Sequence, residues 1–386
     1  MINSTIKKLS GIILKSKTTT KTHICFISKS IHYVLHNNTK CLVGGAEIQQ
    51  KYLASNLIEK GWRVSFLTER TGNERKISLH SNMTIYHKIE YSKGNKFSRK
   101  LIYLPKSLWK ALKEINADIL YQRNPDYLSG ILAIYCKLYK KKLIIAGANN
   151  WNFEKGKEKN LNNIVDKVCA RIGIRFADTI ILQNSEQKRL LRKNYNKSGP
   201  VFYNIFPERK IRQDSRYVLW VARLESYKRP ECFLQIAKNL PEYTFVMVGG
   251  HGNDSTLSEK IKHEASQIKN VKYMGHQSFD RVEKLFDEAA LFVNTSKLGC
   301  EGFPNTFLQA WSRGIPVISF FDPDGLISQY NLGKAVKSIS QMQDAIRSSV
   351  CKSKDIASTS RKIQSAFIKY FSISTQSKKF INILNM

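Results

Sequence analysis

Short, fully apolar runs alternate with amphipathic helical stretches along nearly the whole chain, in two series separated by a charged segment, 208–216, that follows Pro207. Runs that are apolar on both faces suit strands buried in a parallel sheet, and parallel neighbours need a crossover helix between them. In the first series strands are expected at 23–28, 63–68, 84–89, 118–122, 142–147 and 179–183. A helix over 46–60 carries Tyr52, Leu53, Leu57 and Ile58 as one apolar stripe, and Gly61 is placed to end it. The second series has strands at 217–221, 244–248, 271–274, 291–295 and 316–320, with helices at 230–239, 257–268, 279–289 and 305–313. The fold class is therefore α/β, with two Rossmann-like doubly wound domains over 22–207 and 208–356 facing across a cleft. A basic tail, 1–21, precedes them. Helices over 357–386 are expected to pack back on the N-terminal domain. Ligands of open α/β sheets bind outside the carboxyl ends of the strands, so the cleft is the place to look for chemistry.

The length of 386 residues and a hydrophobic content of 42% are enough for two cores. Charge is the unusual quantity: 63 Lys and Arg against 30 Asp and Glu give +33, which predicts attraction to polyanions unless the lysines merely solvate the surface. Aromatic residues fall mainly in the expected core elements and do not interleave with Lys and Arg as stacking platforms, so nucleic acid is not the expected partner. An anionic membrane surface is. Seven scattered cysteines without a C-x-x-C pair argue for reduced thiols in a cytosolic compartment. His32 and His36 lack a further evident ligand. No apolar run approaches the roughly 18–20 residues that a bilayer requires. Ile6, Leu9, Ile12 and Ile13 in the basic tail allow a short membrane-surface helix, although a plain tail is the favoured reading.

Two segments carry chemistry. In Val221-Ala-Arg-Leu-Glu-Ser-Tyr-Lys-Arg-Pro230, Arg223 and Lys228 lie between a strand end and a helix start, where a forked guanidinium and a point charge suit a diphosphate. In Leu298-Gly-Cys-Glu-Gly-Phe-Pro-Asn-Thr-Phe-Leu-Gln309, Gly299 and Gly302 permit a tight turn and close approach of backbone to a ligand. Pro304 suits the first helical position, and the free amides at Asn305 and Thr306 offer an anion site. Gln309, one turn past Thr306 on the same helix face, is expected to reach a ribose, and Glu301 to accept hydrogen bonds from sugar hydroxyls.

These residues resemble the family 4 glycosyltransferases, retaining enzymes of the two-domain GT-B fold, over nearly the whole chain from Gly44-Gly-Ala-Glu47 to Phe320. The resemblance implies that Arg223 and Lys228 bind the donor diphosphate, Glu301 the transferred sugar, and the backbone at Gly302, Phe303, Pro304, Asn305 and Thr306 the sugar and phosphates. Gly44 and Gly45 would form the loop that closes over the substrates, and Gly249, Gly250 and Gly275 would surround the nucleotide. The family's second acidic residue is here Gln309. Where many members carry a histidine the chain has Tyr121-Gln-Arg123, so Arg123, with Asn149 and Asn150 at the next strand end, become acceptor or cleft candidates.

Asp322-Pro-Asp324 matches the D-x-D pattern of metal-dependent glycosyltransferases, but Pro323 and Gly325 read as turn chemistry, and no metal or other cofactor is expected. The absence of a P-loop or G-x-G-x-x-G fingerprint lowers kinase and dehydrogenase readings. The expected function is retaining transfer of a sugar from a nucleotide-sugar to a glycan or lipid-linked acceptor, at the cytoplasmic face of the membrane, in cell-surface polysaccharide or lipopolysaccharide synthesis. The rivals are a non-catalytic sugar-nucleotide or carbohydrate-binding relative and, further off, a nucleic-acid-binding protein. Acceptor choice is expected to lie in loops 35–42 and 92–100.

Overall fold

The computed structural model describes residues 22–35, 44–70, 75–80, 82–91, 93–95, 98–156, 161, 163–212, 216–250, 252, 254–350 and 356–386. The basic tail and most of the 35–42 loop lie outside the described residues, as do parts of the 92–100 loop. The first sheet holds β1 (His23–Ile27), β2 (Arg63–Glu69), β3 (Lys76–His80), β4 (Met83–Ile89), β5 (Ile119–Arg123), β6 (Lys142–Ala146) and β7 (Thr179–Ile181), in the order β3-β4-β2-β1-β5-β6-β7. All its pairs are parallel except β3 with β4. The second sheet holds β8 (Tyr217–Val221), β9 (Phe245–Val248), β10 (Val271–Tyr273), β11 (Ala289–Asn294), β12 (Val317–Ser319) and β13 (Gly333–Ala335), ordered β10-β9-β8-β11-β12-β13 and wholly parallel.

Every residue of β1 and β9 is buried, which is why their apolar runs are legible as central strands. β3 and β13 are not among the expected strands, and both sit at sheet edges. Edge strands are short and polar, so they leave little periodic signal. In each sheet the chain order reverses once, between β1 and β5 and between β8 and β11. Loops leaving adjacent strands there run to opposite faces and open a crevice at the carboxyl edge.

The helices that matter are α1 (Gly45–Glu59), α2 (Leu104–Ile115), α3 (Tyr127–Tyr139), α4 (Ile164–Phe176) and α5 (Ser185–Tyr195) with the first sheet. With the second are α6 (Pro230–Lys238), α7 (Ser255–Ser266), α8 (Phe279–Asp287), α9 (Asn305–Trp311) and α10 (Ile339–Val350), followed by α11 (Ile356–Phe371) and α12 (Ile373–Asn385). Gly61, at φ +86, closes α1 as expected. The two last helices divide their loyalty. Phe371 of α11 packs on Phe303 and Trp311 of the second half, with ring centroids 5.7 and 5.5 Å away. α12 returns to the first half, where Ser377 donates to Asn56 Oδ1 at 2.8 Å and Phe380 lies against Phe202. The chain thus passes between the halves twice, and the passages are tied: Phe206 N donates to Phe371 O, and Ile373 N to Phe206 O, both at 3.2 Å.

Candidate active site

The loop after β8 and the loop after β11 meet at the second sheet's switch point. Trp220 Nε1 donates to Thr295 Oγ1 at 2.9 Å, Thr295 Oγ1 donates to Lys228 O at 2.6 Å, and Lys297 N donates to Tyr227 O at 2.7 Å. That lacing brings Lys228 and Glu301, far apart in sequence, into an ion pair with both side chains mostly buried. The same carboxylate oxygen also accepts from Ser296 Oγ at 2.7 Å. Arg223 is exposed at the same edge and, with Lys228 and Glu301, contributes to the field at the Tyr227 phenol, whose pKa burial pushes up. A mostly buried charge pair is held only while its hydrogen-bonding is complete, and a diphosphate arriving at Lys228 would compete directly with Glu301 for it.

The glycines expected around a nucleotide stand together beside this pair. Gly249 N donates to Gly275 O at 3.0 Å, and Leu224 N to Gly250 O at 3.1 Å, so the ends of β8, β9 and β10 form one rim. Gly275 has φ +62, a conformation that side chains oppose. A Cβ on Gly302 would overlap the Gln183 amide and the Ala148 carbonyl, so this glycine is required by contact with the other half.

That contact is extensive and made almost wholly of amides. Asn150 Nδ2 donates to Gly299 O at 3.3 Å, Asn184 Nδ2 to Gly302 O at 3.0 Å, and Asn204 Nδ2 to Phe303 O at 2.6 Å. Asn305 takes hydrogen bonds from Asn204 (2.8 Å) and Gln49 (3.1 Å) and gives one to Gly45 O (2.9 Å). Side chains from the first half therefore grip the carbonyls of the segment 299–303 on either side of Glu301. Trp151 also crosses the cleft to meet Tyr227 edge-on, centroids 5.6 Å apart. Asn184, Asn204 and Gln49 are absent from the sequence reading. Their one signal is a lone amide in an otherwise buried run, as in Val201-Phe-Tyr-Asn-Ile-Phe206.

Several expected site residues have other duties. Asn149 caps the short turn Asn150–Phe153 by accepting from Asn152 N, and Asn150 holds the 299 carbonyl, so neither is simply open to an acceptor. Arg123 donates to Asn204 Oδ1 at 2.7 Å, and burial lowers its pKa. It joins the inter-half network and buttresses Asn204. Pro304 is the residue before α9, in extended conformation, and Asn305 is the first helical residue. Gln309 is buried, and its Nε2 donates to Glu283 Oε1 at 2.8 Å. The other Glu283 oxygen takes hydrogen bonds from Arg209 and Arg313, each at 3.1 Å. A buried amide must find partners, and this one finds a carboxylate on α8, not the open cleft. Asp322 accepts from Ile327 N (2.8 Å) and Ser328 N (3.0 Å), while Asp324 accepts from Ser185 N (2.9 Å) and Tyr203 Oη (2.9 Å). The D-x-D carboxylates thus close a turn and join the halves. Among the described residues no group of three His, Cys, Asp or Glu is placed to hold a metal.

Two parallel sheets, each with its switch point turned to a shared cleft, and a charged donor edge on one side, define the GT-B class. Solved structures of that class share the architecture. Sucrose-phosphate synthase from Thermosynechococcus elongatus has a TM-score of 0.74 at 14% identity, covering 95% of this chain and 98% of that one. HepE from Anabaena, solved with UDP-glucose, has a TM-score of 0.72 at 14% identity, covering 94% and 99%. The pattern described as "Glycosyltransferase Family 4" matches residues 43–204, and that described as "Glycosyl transferases group 1" matches 202–366. The O-antigen biosynthesis glycosyltransferase WbnH of Escherichia coli is 24% identical over 289 residues, 72% of this chain and 78% of that protein. The chain belongs to the family 4 glycosyltransferases.

Proposed function

We propose that the protein transfers a sugar from a nucleotide-sugar to a glycan or lipid-linked acceptor with retention of anomeric configuration, in the synthesis of a cell-surface polysaccharide or lipopolysaccharide. The observation that carries the reading is the Glu301 carboxylate, held by Lys228 and Ser296 beside Arg223 at the switch point of the second sheet. Arg223 and Lys228 stabilise the diphosphate as the anomeric C–O bond breaks. The α9 amides at Asn305 and Thr306 add the field of a helix start. The acceptor hydroxyl attacks the same face and passes its proton to the departing phosphate oxygen. Glu301, released from Lys228 by the diphosphate, accepts from sugar hydroxyls and offsets positive charge at the anomeric centre. Gly249, Gly250 and Gly275 surround the nucleotide, and the backbone at Gly302–Thr306 lies against the sugar and phosphates. The reaction requires no metal. The similarity to an O-antigen enzyme supports the choice of acceptor class, and the net charge supports a site of action on the cytoplasmic face of the membrane.

The test is a thermal-shift panel of sugar nucleotides, followed by the anomeric configuration of the product. A donor that binds the folded chain raises its melting temperature. A flat panel overturns the donor site, and an inverted product overturns retention. One observation favours a second reading, a binding relative without turnover: Gln309 is buried and its Nε2 donates to Glu283, which draws the amide away from a ribose in the cleft. Single-turnover transfer or hydrolysis of a bound donor decides against it.

A further inference from the structure

Leu101 and Ile102 are 58% and 55% exposed, and Ile164, Val165 and Val168 are 78%, 50% and 45% exposed. Leu101 and Ile102 adjoin Lys100, the other three flank Asp166 at the start of one helix, and Lys100 and Asp166 form an ion pair. Leu101 and Ile102 follow Lys100 in a single turn of π-helix, Arg99–Tyr103, that runs into α2. Lys100 pairs with Asp166 in the first turn of α4, and the Tyr127 hydroxyl donates to the Lys100 carbonyl. Asp166 sits between Val165 and Lys167, so one ion pair pins the two apolar segments side by side. Asn163 fixes the start of α4 by accepting from Asp166 N at 2.9 Å. The result is an apolar ridge that is exposed among the described residues.

The sequence that carries the ridge is cationic. Residues 91–113 carry seven Lys and Arg and no carboxylate, and α4 adds Lys167, Arg171 and Arg175 against Asp166 alone. The position matters as much as the charge. α4 follows β6 and the turn Asn150–Phe153, whose Trp151 and Asn150 reach across the cleft to Tyr227 and Gly299. In a β-α-β unit the helix start lies at the carboxyl edge of the sheet, so the ridge flanks the mouth of the cleft on the first half.

We infer that this ridge inserts into an anionic lipid bilayer, with the lysines and arginines around it meeting the headgroups, and so holds the acceptor side of the cleft against the membrane. A row of large apolar side chains rimmed by cations is the pattern of a surface that lies in the interface. A second copy of the chain is the poorer occupant, because it would bring like charge to a face that already belongs to a +33 molecule. The inference deepens the proposed transfer to a lipid-linked acceptor, since it fixes where such an acceptor enters.

The test uses the full chain and vesicles of equal parts phosphatidylglycerol and phosphatidylcholine, with phosphatidylcholine vesicles as the comparison. The variant carries Leu101→Ser, Ile164→Ser and Val168→Ser, which remove apolar surface and leave every charge in place. A control, Leu138→Ser, alters another exposed apolar residue, 65% exposed, at the far end of α3. Wild type and control are expected to sediment with the anionic vesicles, and the triple variant to bind about tenfold more weakly. The donor-induced thermal shift should be the same in all three. Equal sedimentation of the triple variant shows adhesion by net charge alone and overturns the inference. So does a concentration-dependent dimer in sedimentation velocity that the triple variant abolishes. A failed donor shift with intact vesicle binding strikes the transferase reading and leaves the ridge standing.

Discussion

The two halves share a fold plan but place different kinds of groups at the edge facing the cleft. The second half offers charges and glycines, each a few residues past the end of its strand: Arg223 and Lys228 after β8, Gly249 and Gly250 after β9, Gly275 after β10, Glu301 after β11. The first half offers amides, Gln49, Asn150, Asn184 and Asn204, that spend their hydrogen bonds on the second half's donor segment. One edge carries charged groups suited to a ligand, and the other holds that edge in shape. A chemically active side chain need not be a positioned one, and the division of labour separates the two tasks.

Glu301→Ala should break the comparison most visibly. It removes the carboxylate without touching the inter-half amides, and transfer should fall by about 10²–10³-fold, while the unpaired Lys228 lowers the melting temperature without unfolding the chain. Undiminished turnover would remove Glu301 from the reaction. Gln309→Glu tests the buried pair next. A second carboxylate beside Glu283 meets like charge in a confined site, and urea denaturation should show a loss of about 2 kcal/mol, softened by Arg313 and Arg209. A gain in both stability and turnover would mean that the position prefers the charge.

Asn204→Ala should cost less stability, about 1–2 kcal/mol, because it leaves Arg123 and the Phe303 carbonyl short of a partner. Its telling sign is kinetic: kcat should fall more than donor affinity, since the donor segment is displaced and its charges remain. An unchanged kcat would reduce Asn204 to a structural pin.

The smallest effect on transfer concerns His23 of β1, which lies away from the cleft and bonds Ser65 and Arg63. Burial, and then the Arg63 charge, lower its pKa from 6.5 to about 4. Its folded-state pKa lies below the unfolded value, so the neutral ring favours the fold above 6.5, and that contribution is lost as pH falls from 6.5 towards 4. Stability should drop by about 3 kcal/mol over this window in wild type and be flatter in His23→Asn. Equal slopes would show that the ring titrates normally.

The same contrast explains what was legible in the sequence. Central strands declare themselves by continuous apolar runs, and the donor edge by short segments in which strand end, glycine and charge are adjacent. The amide network cannot be read that way, because Asn204 and Phe303, or Gln49 and Asn305, meet only through tertiary structure, and an isolated Asn or Gln has no periodicity to betray it. Gln309 shows the limit from the other direction. Its helical spacing from Thr306 is right, yet which neighbour claims its amide depends on Glu283 of a different helix.

The chain passes between the halves at Phe206 and again near Ser372, with the two passages hydrogen-bonded to each other. Two such strands side by side form a strap, not a single swivel, and a strap resists twisting while still allowing bending across its width. Because Asn184 and Asn204 tether the Gly302 and Phe303 carbonyls, such a motion would pull on the segment bearing Glu301. A bend of one half on the other would act as a lever whose short arm is the carboxylate.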